Sequence, residues 1–255
     1  MPTGVPTEEP AFLDRGDGVR LAFRHQPGPG PLVVFLPGYG SDMAGTKATF
    51  LAHRARAQGF AYLRLDYSGC GASQGRFDDG SITRWTADAR AVVDHVHPSG
   101  SLLLVGSSMG AWIMLRLALA LGPRVRGLVG IAAAPDFPEW GLALSAAERE
   151  ALIRDGFFLR ASRYGSEPQR FTRTFLEDAR EARLLAGPIA IDAPVRLLHG
   201  EADDDVPWEI SVRLMRALAS ADVRLVLVKG GDHRLSGPAE LELLARTVDE
   251  LLARC

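Results

Sequence analysis

The chain has 255 residues, of which 47% are hydrophobic and 24% are charged, proportions that are ordinary for a folded globular protein and exclude extensive disorder. Its formal net charge of -2 gives no electrostatic reason to expect nucleic acid or an anionic membrane as a partner. Only Lys47 and Lys229 among the 29 basic residues are lysines, which we interpret as a coding bias and not as a binding site.

The first ten residues lack the basic and apolar stretches of a secretory signal, and no apolar run approaches the roughly 18 residues of a membrane span. Two cysteines, Cys70 and Cys255, are too few for a disulfide framework or, without histidine, for a zinc cluster. We therefore predict a cytoplasmic protein without a membrane span, without a metal and without a cofactor.

The first half of the chain alternates short apolar runs with helical patterns. Strands are predicted at 12–15, 19–24, 32–36, 61–65, 102–105 and 125–132. Helices are predicted at 46–58, 82–96 and 108–121. The first two strands flank the turn Gly16-Asp17-Gly18 and should pair antiparallel, whereas strands that alternate with helices predict a parallel sheet. The fold class is therefore α/β, with a mostly parallel, twisted sheet between helices.

This alternation lapses over residues 135–194 and then resumes. A strand is predicted at 195–198, a helix after Pro207, a strand at 223–228 and a last helix after Pro238. Inside the interruption, Ser145-Ala-Ala-Glu148 has the capping-box pattern of a short helix, and residues 172–185 are amphipathic. We predict a core built from 1–134 and 195–255, with 135–194 inserted as a lid or cap, because the interruption is too long for an ordinary loop.

A candidate nucleophile follows the strand predicted at 102–105. Residues 106–110 read Gly-Ser-Ser-Met-Gly and so fit G-x-S-x-G, a weak motif alone but a specific one between a strand and a helix. On such a turn the Ser108 hydroxyl is exposed at the carboxyl edge of the sheet, and Gly106 and Gly110 permit close backbone approach. The alternative is a glycine-rich turn in which Ser108 only caps the helix.

A serine nucleophile needs a base and an orienting acid, which on this kind of turn follow it in the order acid, then histidine. His233, just after the last predicted strand, satisfies that order, whereas His199 precedes every candidate acid and is expected only to hydrogen bond at its strand end. Asp203 comes first off the turn after Gly200 and is the favoured acid. Asp205 is the second choice, and Glu201 is a weaker substitute.

Acyl transfer also requires hydrogen-bond donors for the developing oxyanion and a pocket for the substrate. The backbone N–H groups of Met109 and Tyr39 are the predicted donors, since Gly38 lets the early loop turn sharply. The predicted substrate-binding side chains are Trp112, Phe157 and Phe158. Met109, Trp140 and Leu159 are further candidates for an apolar pocket, although such residues can equally belong to the core. Cys70 is interpreted as a small buried hydrophobic residue and not as a second nucleophile.

These motifs together resemble one family over nearly the whole chain from about Gly18. The similar segments are 36–48, 66–73, 106–112, 196–200, 206–208 and 232–234. They resemble the α/β-hydrolase serine hydrolases, in particular the subfamily of palmitoyl-protein thioesterases and acyl-glucuronide esterases. The resemblance implies the α/β-hydrolase fold, a Ser108-Asp203-His233 triad, and esterase or thioesterase activity on small-molecule or acyl-protein substrates. A monomer or homodimer is expected.

Two other kinds of function are compatible with the same residues. The triad would also serve a C–C bond hydrolase or a cofactor-free perhydrolase, which differ from an esterase in the bond that is cleaved or formed. A non-catalytic ligand-binding protein on a hydrolase scaffold is the alternative of another class, and a complete triad in the expected order argues against it.

Overall fold

An eight-stranded sheet runs through the centre of the part of the molecule that the computed structural model describes, residues 9–162 and 167–255. The strands are β1 (Ala11–Asp14), β2 (Arg20–Gln26), β3 (Leu32–Leu36), β4 (Tyr62–Leu65), β5 (Leu102–Ser107), β6 (Val125–Ile131), β7 (Phe157–Arg160), β8 (Gln169–Thr172), β9 (Val195–Gly200) and β10 (Val223–Val228). All of them except β7 and β8 belong to this sheet, in the order β1-β2-β4-β3-β5-β6-β9-β10.

The pairing in the sheet confirms the predicted α/β fold class. β2 pairs antiparallel with β1 and with β4, and every neighbouring pair from β4 to β10 is parallel. In a parallel sheet the carboxyl ends of the strands lie along one edge, where ligands bind in open α/β folds. The loops after β3, β5, β9 and β10 therefore meet at that edge.

Helices cover both faces of the sheet, which is why its central strands are continuous apolar runs. The helices are α1 (Thr46–Gln58), α2 (Ile82–Val96), α3 (Met109–Leu121), α4 (Phe137–Trp140), α5 (Ala146–Asp155), α6 (Arg173–Glu181), α7 (Glu209–Ala217) and α8 (Pro238–Leu252). α1 and α8 share one apolar cluster with alternate residues of the sheet such as Val33 and Leu103. α2, α3, α6 and α7 share the opposite cluster with residues such as Leu32 and Leu102.

The segment inserted between β6 and β9 contains α4, α5, a hairpin and α6. Ser145 and Glu148 form the predicted capping box at the start of α5, and α6 lies inside the predicted amphipathic stretch. The hairpin is a feature that the sequence analysis missed: β7 and β8 pair antiparallel, with Phe158 opposite Phe171. Apolar residues of the insertion, among them Leu142 and Phe175, belong to the same cluster as α3 and the sheet.

Two hydrogen bonds tie the start of the insertion to its end. Asp136, at its start, accepts hydrogen bonds from the backbone N–H groups of Leu184 (2.9 Å) and Leu185 (2.7 Å), near its end. The division of the chain into a core and a lid stays a prediction. Over the described residues, no helix has both the length and the apolar character that crossing a bilayer requires.

Candidate active site

Ser108 stands on a strained turn between β5 and α3. Its backbone has φ 56° and ψ -122°, a region that residues with a side chain rarely adopt and that costs conformational free energy. The turn is held by a hydrogen bond from the Ser108 N–H to the Ile131 carbonyl (2.8 Å) and by one from the Ala111 N–H to the Ser108 carbonyl (3.0 Å). A buried backbone network therefore keeps the hydroxyl at the carboxyl edge of the sheet.

The two glycines of the motif are required by close packing of this turn. A β-carbon on Gly106 would lie 2.5 Å from the Gly110 carbonyl oxygen, and one on Gly110 would lie 2.1 Å from the Leu36 carbonyl oxygen. Both distances are far inside van der Waals contact, so the structure confirms why glycine stands at these positions.

Three side chains that are distant in the sequence come together at this edge. Ser108 Oγ lies 3.1 Å from His233 Nε2, and His233 Nδ1 lies 2.8 Å from Asp203 Oδ2. An ionised carboxylate only accepts hydrogen bonds, so the imidazole proton belongs on Nδ1 and leaves Nε2 to accept from the serine hydroxyl. The structure thus brings the three predicted triad residues into one hydrogen-bonded chain.

The Asp203 carboxylate is buried and accepts hydrogen bonds at both oxygens. Oδ1 accepts from the backbone N–H groups of Asp205 (2.9 Å) and Val206 (2.8 Å), and Oδ2 faces His233 and His199. Burial alone would raise the pKa of the Asp203 carboxyl, but the hydrogen bonds from His199 and His233 outweigh it and hold that pKa well below its usual range. The carboxylate is therefore ionised at neutral pH.

The alternative acids lie elsewhere. Glu201 accepts a hydrogen bond from the Gly230 N–H (3.1 Å), while Asp204 and Asp205 line the cavity described below. The Asp203 carboxylate is the predicted acid, and it contacts His233 Nδ1.

His199 was predicted only to form a hydrogen bond at its strand end, whereas in the structure it also contacts Asp203. Its fully buried ring places Nε2 2.9 Å from the Val206 carbonyl and 3.2 Å from Asp203 Oδ2, and Nδ1 2.7 Å from Ser211 Oγ. Because two acceptors face Nε2, that nitrogen carries the proton. The signal in the sequence is the spacing of four residues between His199 and Asp203 around the end of β9; the prediction considered only that His199 precedes the candidate acids.

The predicted oxyanion donors flank Ser108. A β-carbon on Gly38 would lie 3.2 Å from the Ser107 carbonyl oxygen and 3.4 Å from the Ser108 β-carbon, so the loop that carries Tyr39 passes directly beside the nucleophile. Within residues 9–162 and 167–255, the backbone N–H groups of Tyr39 and Met109 make no hydrogen bond to the protein. Their role as oxyanion donors stays a prediction.

A cavity of ≈ 900 Å³ opens beside Ser108. Its aromatic lining residues come from the core and from the insertion: Phe35, Tyr39, Phe77, Phe137, Trp140 and Phe171. The Tyr39 ring stacks on Phe171 with 5.1 Å between centroids, and its hydroxyl donates to the Arg170 carbonyl (2.5 Å). The inserted segment therefore supplies one wall of the cavity and is tied to the loop after β3.

The structure places the predicted substrate-binding residues Trp112, Phe157 and Phe158 outside the lining of the cavity beside Ser108. Trp112 is fully buried in α3, a helix packed on several sides, and its Nε1 donates to the Ala182 carbonyl (3.2 Å). Phe158 stacks behind Phe171 at 5.2 Å, and Phe157 lies against the Arg170 guanidinium at 3.3 Å. These three side chains do not line the cavity, whereas the other candidates Met109 and Trp140 do.

Charged side chains also line this cavity, and two of its arginines are neutralised. Arg160 pairs with Glu148 (2.9 Å), and Arg170 forms a bidentate pair with Asp78 (2.5 and 2.9 Å). In the part of the chain that the structure describes, no group of three or more His, Cys, Asp or Glu side chains is placed to hold a metal ion. Cys70 is buried as predicted, and burial raises the pKa of its thiol to about 12.

The fold and the hydrogen-bonded Ser108, His233 and Asp203 define a protein of the α/β-hydrolase class. Residues 33–246 match the Alpha/beta hydrolase family, and the chain belongs to that family. This confirms the predicted resemblance and the prediction of a hydrolytic enzyme.

The chain is similar to mammalian and bacterial members of this family. It is 37% identical over 248 residues to "Palmitoyl-protein thioesterase ABHD10, mitochondrial" of Bos taurus, covering 95% of this chain and 79% of the relative. Among solved structures, a putative hydrolase from Agrobacterium vitis S4 has a TM-score of 0.91 and 40% identity, covering 96% of this chain and 98% of that one. Alpha/beta hydrolase domain-containing protein 10 from mouse has a TM-score of 0.88 and 36% identity, covering 96% and 99%.

Proposed function

We propose that this protein is a serine hydrolase that cleaves carboxylic ester or thioester bonds of acyl substrates through an acyl-enzyme intermediate. The observation that carries the proposal is the chain of hydrogen bonds from Ser108 Oγ through His233 to Asp203, in which Ser108 and His233 line the cavity. A serine hydroxyl becomes a nucleophile when such a base is within hydrogen-bonding reach and is itself oriented by an acid.

In the acylation step, His233 Nε2 removes the Ser108 proton as Oγ attacks the substrate carbonyl carbon. Asp203 holds the imidazole with its proton on Nδ1 and stabilises the imidazolium cation that forms. The Tyr39 and Met109 amides donate to the oxyanion of the tetrahedral intermediate, each contributing on the order of 3 kcal/mol to the lowering of the barrier. The intermediate collapses when His233 gives its proton to the leaving alcohol or thiol.

In the deacylation step, a water molecule replaces the leaving group and His233 again acts as the base. Water attacks the acyl carbon, a second tetrahedral intermediate forms, and the Ser108–acyl bond breaks with return of the proton to Oγ. The aromatic lining from Tyr39, Phe137 and Phe171 suits an apolar acyl group. The relatives named palmitoyl-protein thioesterase support testing acyl thioesters beside esters.

Substitution of the nucleophile tests the proposal. Ser108→Ala should lower kcat/KM for a p-nitrophenyl ester by at least about 10³-fold and abolish covalent labelling by a fluorophosphonate probe. Ser107→Ala, which removes the neighbouring hydroxyl of the same turn, is the matched control and should retain activity and labelling. Circular dichroism would show that both variants are folded. Full turnover by Ser108→Ala would overturn the proposal.

A substrate panel tests which bond is cleaved. Esters and thioesters that share each acyl group, in a series of chain lengths, should both be hydrolysed, and the ratio of their kcat/KM values gives the preferred leaving group. Hydrolysis of a vinylogous 1,5-diketone without hydrolysis of any ester would instead indicate a C–C hydrolase.

A further inference from the structure

Lys47 lines the same cavity as Ser108, and its ammonium group contacts the loop that carries His233. Lys47 Nζ donates to the Arg234 carbonyl (2.5 Å) and lies 3.5 Å from Ser236 Oγ. Arg234 directly follows His233 in the chain. The ammonium group is therefore on the side of the cavity occupied by the base.

Lys47 differs from Arg160 and Arg170 because no described carboxylate lies within ion-pair distance of it, and the Asp232 carboxylate acts on its ammonium group only at longer range. Arg160 and Arg170 are each paired with an acidic side chain, whereas Lys47 forms no ion pair with any residue that the structure describes. An ammonium group has three N–H donors, and the two contacts named above leave one for a ligand. Burial, and then the Arg234 guanidinium, lower the pKa of Lys47 to about 8, so that it carries its charge at pH 7.

The residue type at this position is also informative. The chain uses arginine for 27 of its 29 basic residues, yet position 47 is a lysine. A compact ammonium group contacts a carbonyl and a hydroxyl oxygen of one short loop, and it approaches a ligand as a point charge.

The position next to the His233 loop indicates which half of the substrate Lys47 contacts. His233 delivers a proton to the leaving group, so that group occupies the space between Ser108 and this loop. Asp42, Asp204 and Asp205 also line the cavity and would repel an anion at longer range. An anionic leaving group would therefore be held by direct contact with a cation of the lining, and the Lys47 ammonium group is such a cation beside the His233 loop.

We propose that Lys47 is a specificity-determining residue that binds a carboxylate or phosphate group on the leaving-group half of the substrate. The inference rests on the proposed function, because the reaction at Ser108 defines which half of the substrate leaves. It adds the substrate class: acyl esters or thioesters whose alcohol or thiol carries an anionic group.

The test compares two aryl esters that share one acyl group, 4-nitrophenyl butyrate and its 3-carboxy-4-nitrophenyl analogue. Lys47→Met should lower kcat/KM for the carboxylated ester about tenfold more than for the neutral ester, since a hydrogen bond to a charged group is lost only there. Lys229→Met is the matched control: it removes the chain's other lysine, which is exposed after β10 and outside the cavity lining, and should leave the ratio of the two rates unchanged.

Butyryl-coenzyme A and butyryl-pantetheine, which differ in the phosphates, provide the same comparison for a phosphate group.

The outcomes separate this inference from the proposed function. A larger loss of kcat/KM in Lys47→Met with the carboxylated ester, with the coenzyme A thioester, or with both than with their neutral counterparts supports the proposal. Which charged substrate shows the larger loss identifies the anion. Equal losses with the charged and neutral members of both pairs would overturn it and reduce Lys47 to a support for the His233 loop. Efficient hydrolysis of the neutral ester with no effect of Lys47→Met would overturn the inference and leave the proposed function standing. Absence of turnover and of Ser108 labelling in the unmodified protein would overturn both.

Discussion

Asp203 accepts hydrogen bonds from two backbone amides and faces two imidazole rings. Only one of those rings, that of His233, contacts Ser108. The other, His199, contacts the same oxygen of Asp203 that contacts His233. At the scale of single residues, His199 is therefore a positioning residue for the acid of the proposed triad.

Removal of the His199 ring tests that role. His199→Phe should lower kcat/KM about tenfold or more, because Asp203 Oδ2 loses a donor and the acid is held less firmly, and should cost about 1–3 kcal/mol of stability through the unpaired Val206 carbonyl. His199→Gln, whose amide N–H can reach the place of Nε2, should restore part of kcat while KM changes little. The assays are run well below each variant's Tm, measured by thermal unfolding. Unchanged kcat in the folded His199→Phe variant would contradict this role.

The residues of the proposed triad were predictable from the sequence, and those that line the cavity were not. A nucleophile turn has a fixed place between strand and helix, and chain order then selects His233 and Asp203. The wall of a cavity has no such pattern, because an aromatic residue in the sequence looks the same whether its side chain lines a cavity or packs in the core. Trp112 and Trp140 illustrate this: one is buried inside α3, whereas the other lines the cavity.

At the scale of elements, the sheet and its helices were predictable because each buries an extended apolar run or stripe. The hairpin of β7 and β8 was not, since each strand has only four residues and includes charged ones. A short two-stranded hairpin is not stable alone. It forms here because Phe171 stacks on Tyr39, a residue more than a hundred positions away in the chain.

The contact between the start of α3 and the end of β3 yields a prediction at this scale. Gly110→Ala would place a β-carbon 2.1 Å from the Leu36 carbonyl oxygen and 2.5 Å from the Pro37 carbonyl oxygen. Two elements would have to separate, so we expect a loss of about 3 kcal/mol in the free energy of unfolding, measured by urea denaturation. Gly187→Ala is the control, because nothing lies within 4 Å of the added carbon, and it should change stability by less than about 0.5 kcal/mol. Equal free energies of unfolding for the two variants would contradict this prediction, because they would show that α3 and the end of β3 move apart without a loss of stability.

At the scale of the whole molecule, the cavity is assembled from parts of the chain that only the closed insertion brings together. Phe137 and Trp140 lie one and four residues after Asp136, and they line the same cavity as Tyr39 and Ser108, which come from the loops after β3 and β5. The ring of Tyr39 contacts both Phe137 and Phe171. A substitution that weakens the contacts at the start of the insertion should therefore also alter the proposed substrate site.

Asp136 is the residue whose substitution can weaken these contacts at the start of the insertion. It has φ 58°, a conformation that asparagine tolerates and alanine does not, and its carboxylate accepts from the N–H groups of Leu184 and Leu185. Asp136→Ala should cost about 2 kcal/mol in the free energy of unfolding and raise KM more than it lowers kcat, because the cavity wall moves while Ser108 and His233 stay in place. Asp136→Asn keeps an acceptor and the backbone conformation, and should cost less.

The difference in stability between Asp136→Asn and the parent protein should change with pH in a predictable direction. Burial raises the pKa of the Asp136 carboxyl in the folded protein despite the two amide hydrogen bonds. A raised pKa means that acidification favours the folded state, so stability from this group is fully present below the pKa of the unfolded chain, about 4, and is lost as pH rises through the folded value. Urea unfolding of both proteins at pH 7 and near pH 4 should therefore show the stability of Asp136→Asn rising relative to the parent protein as pH increases. The opposite trend would mean that the carboxylate is stabilised at the base of the insertion, and that charge, and not only hydrogen bonding, holds the insertion closed.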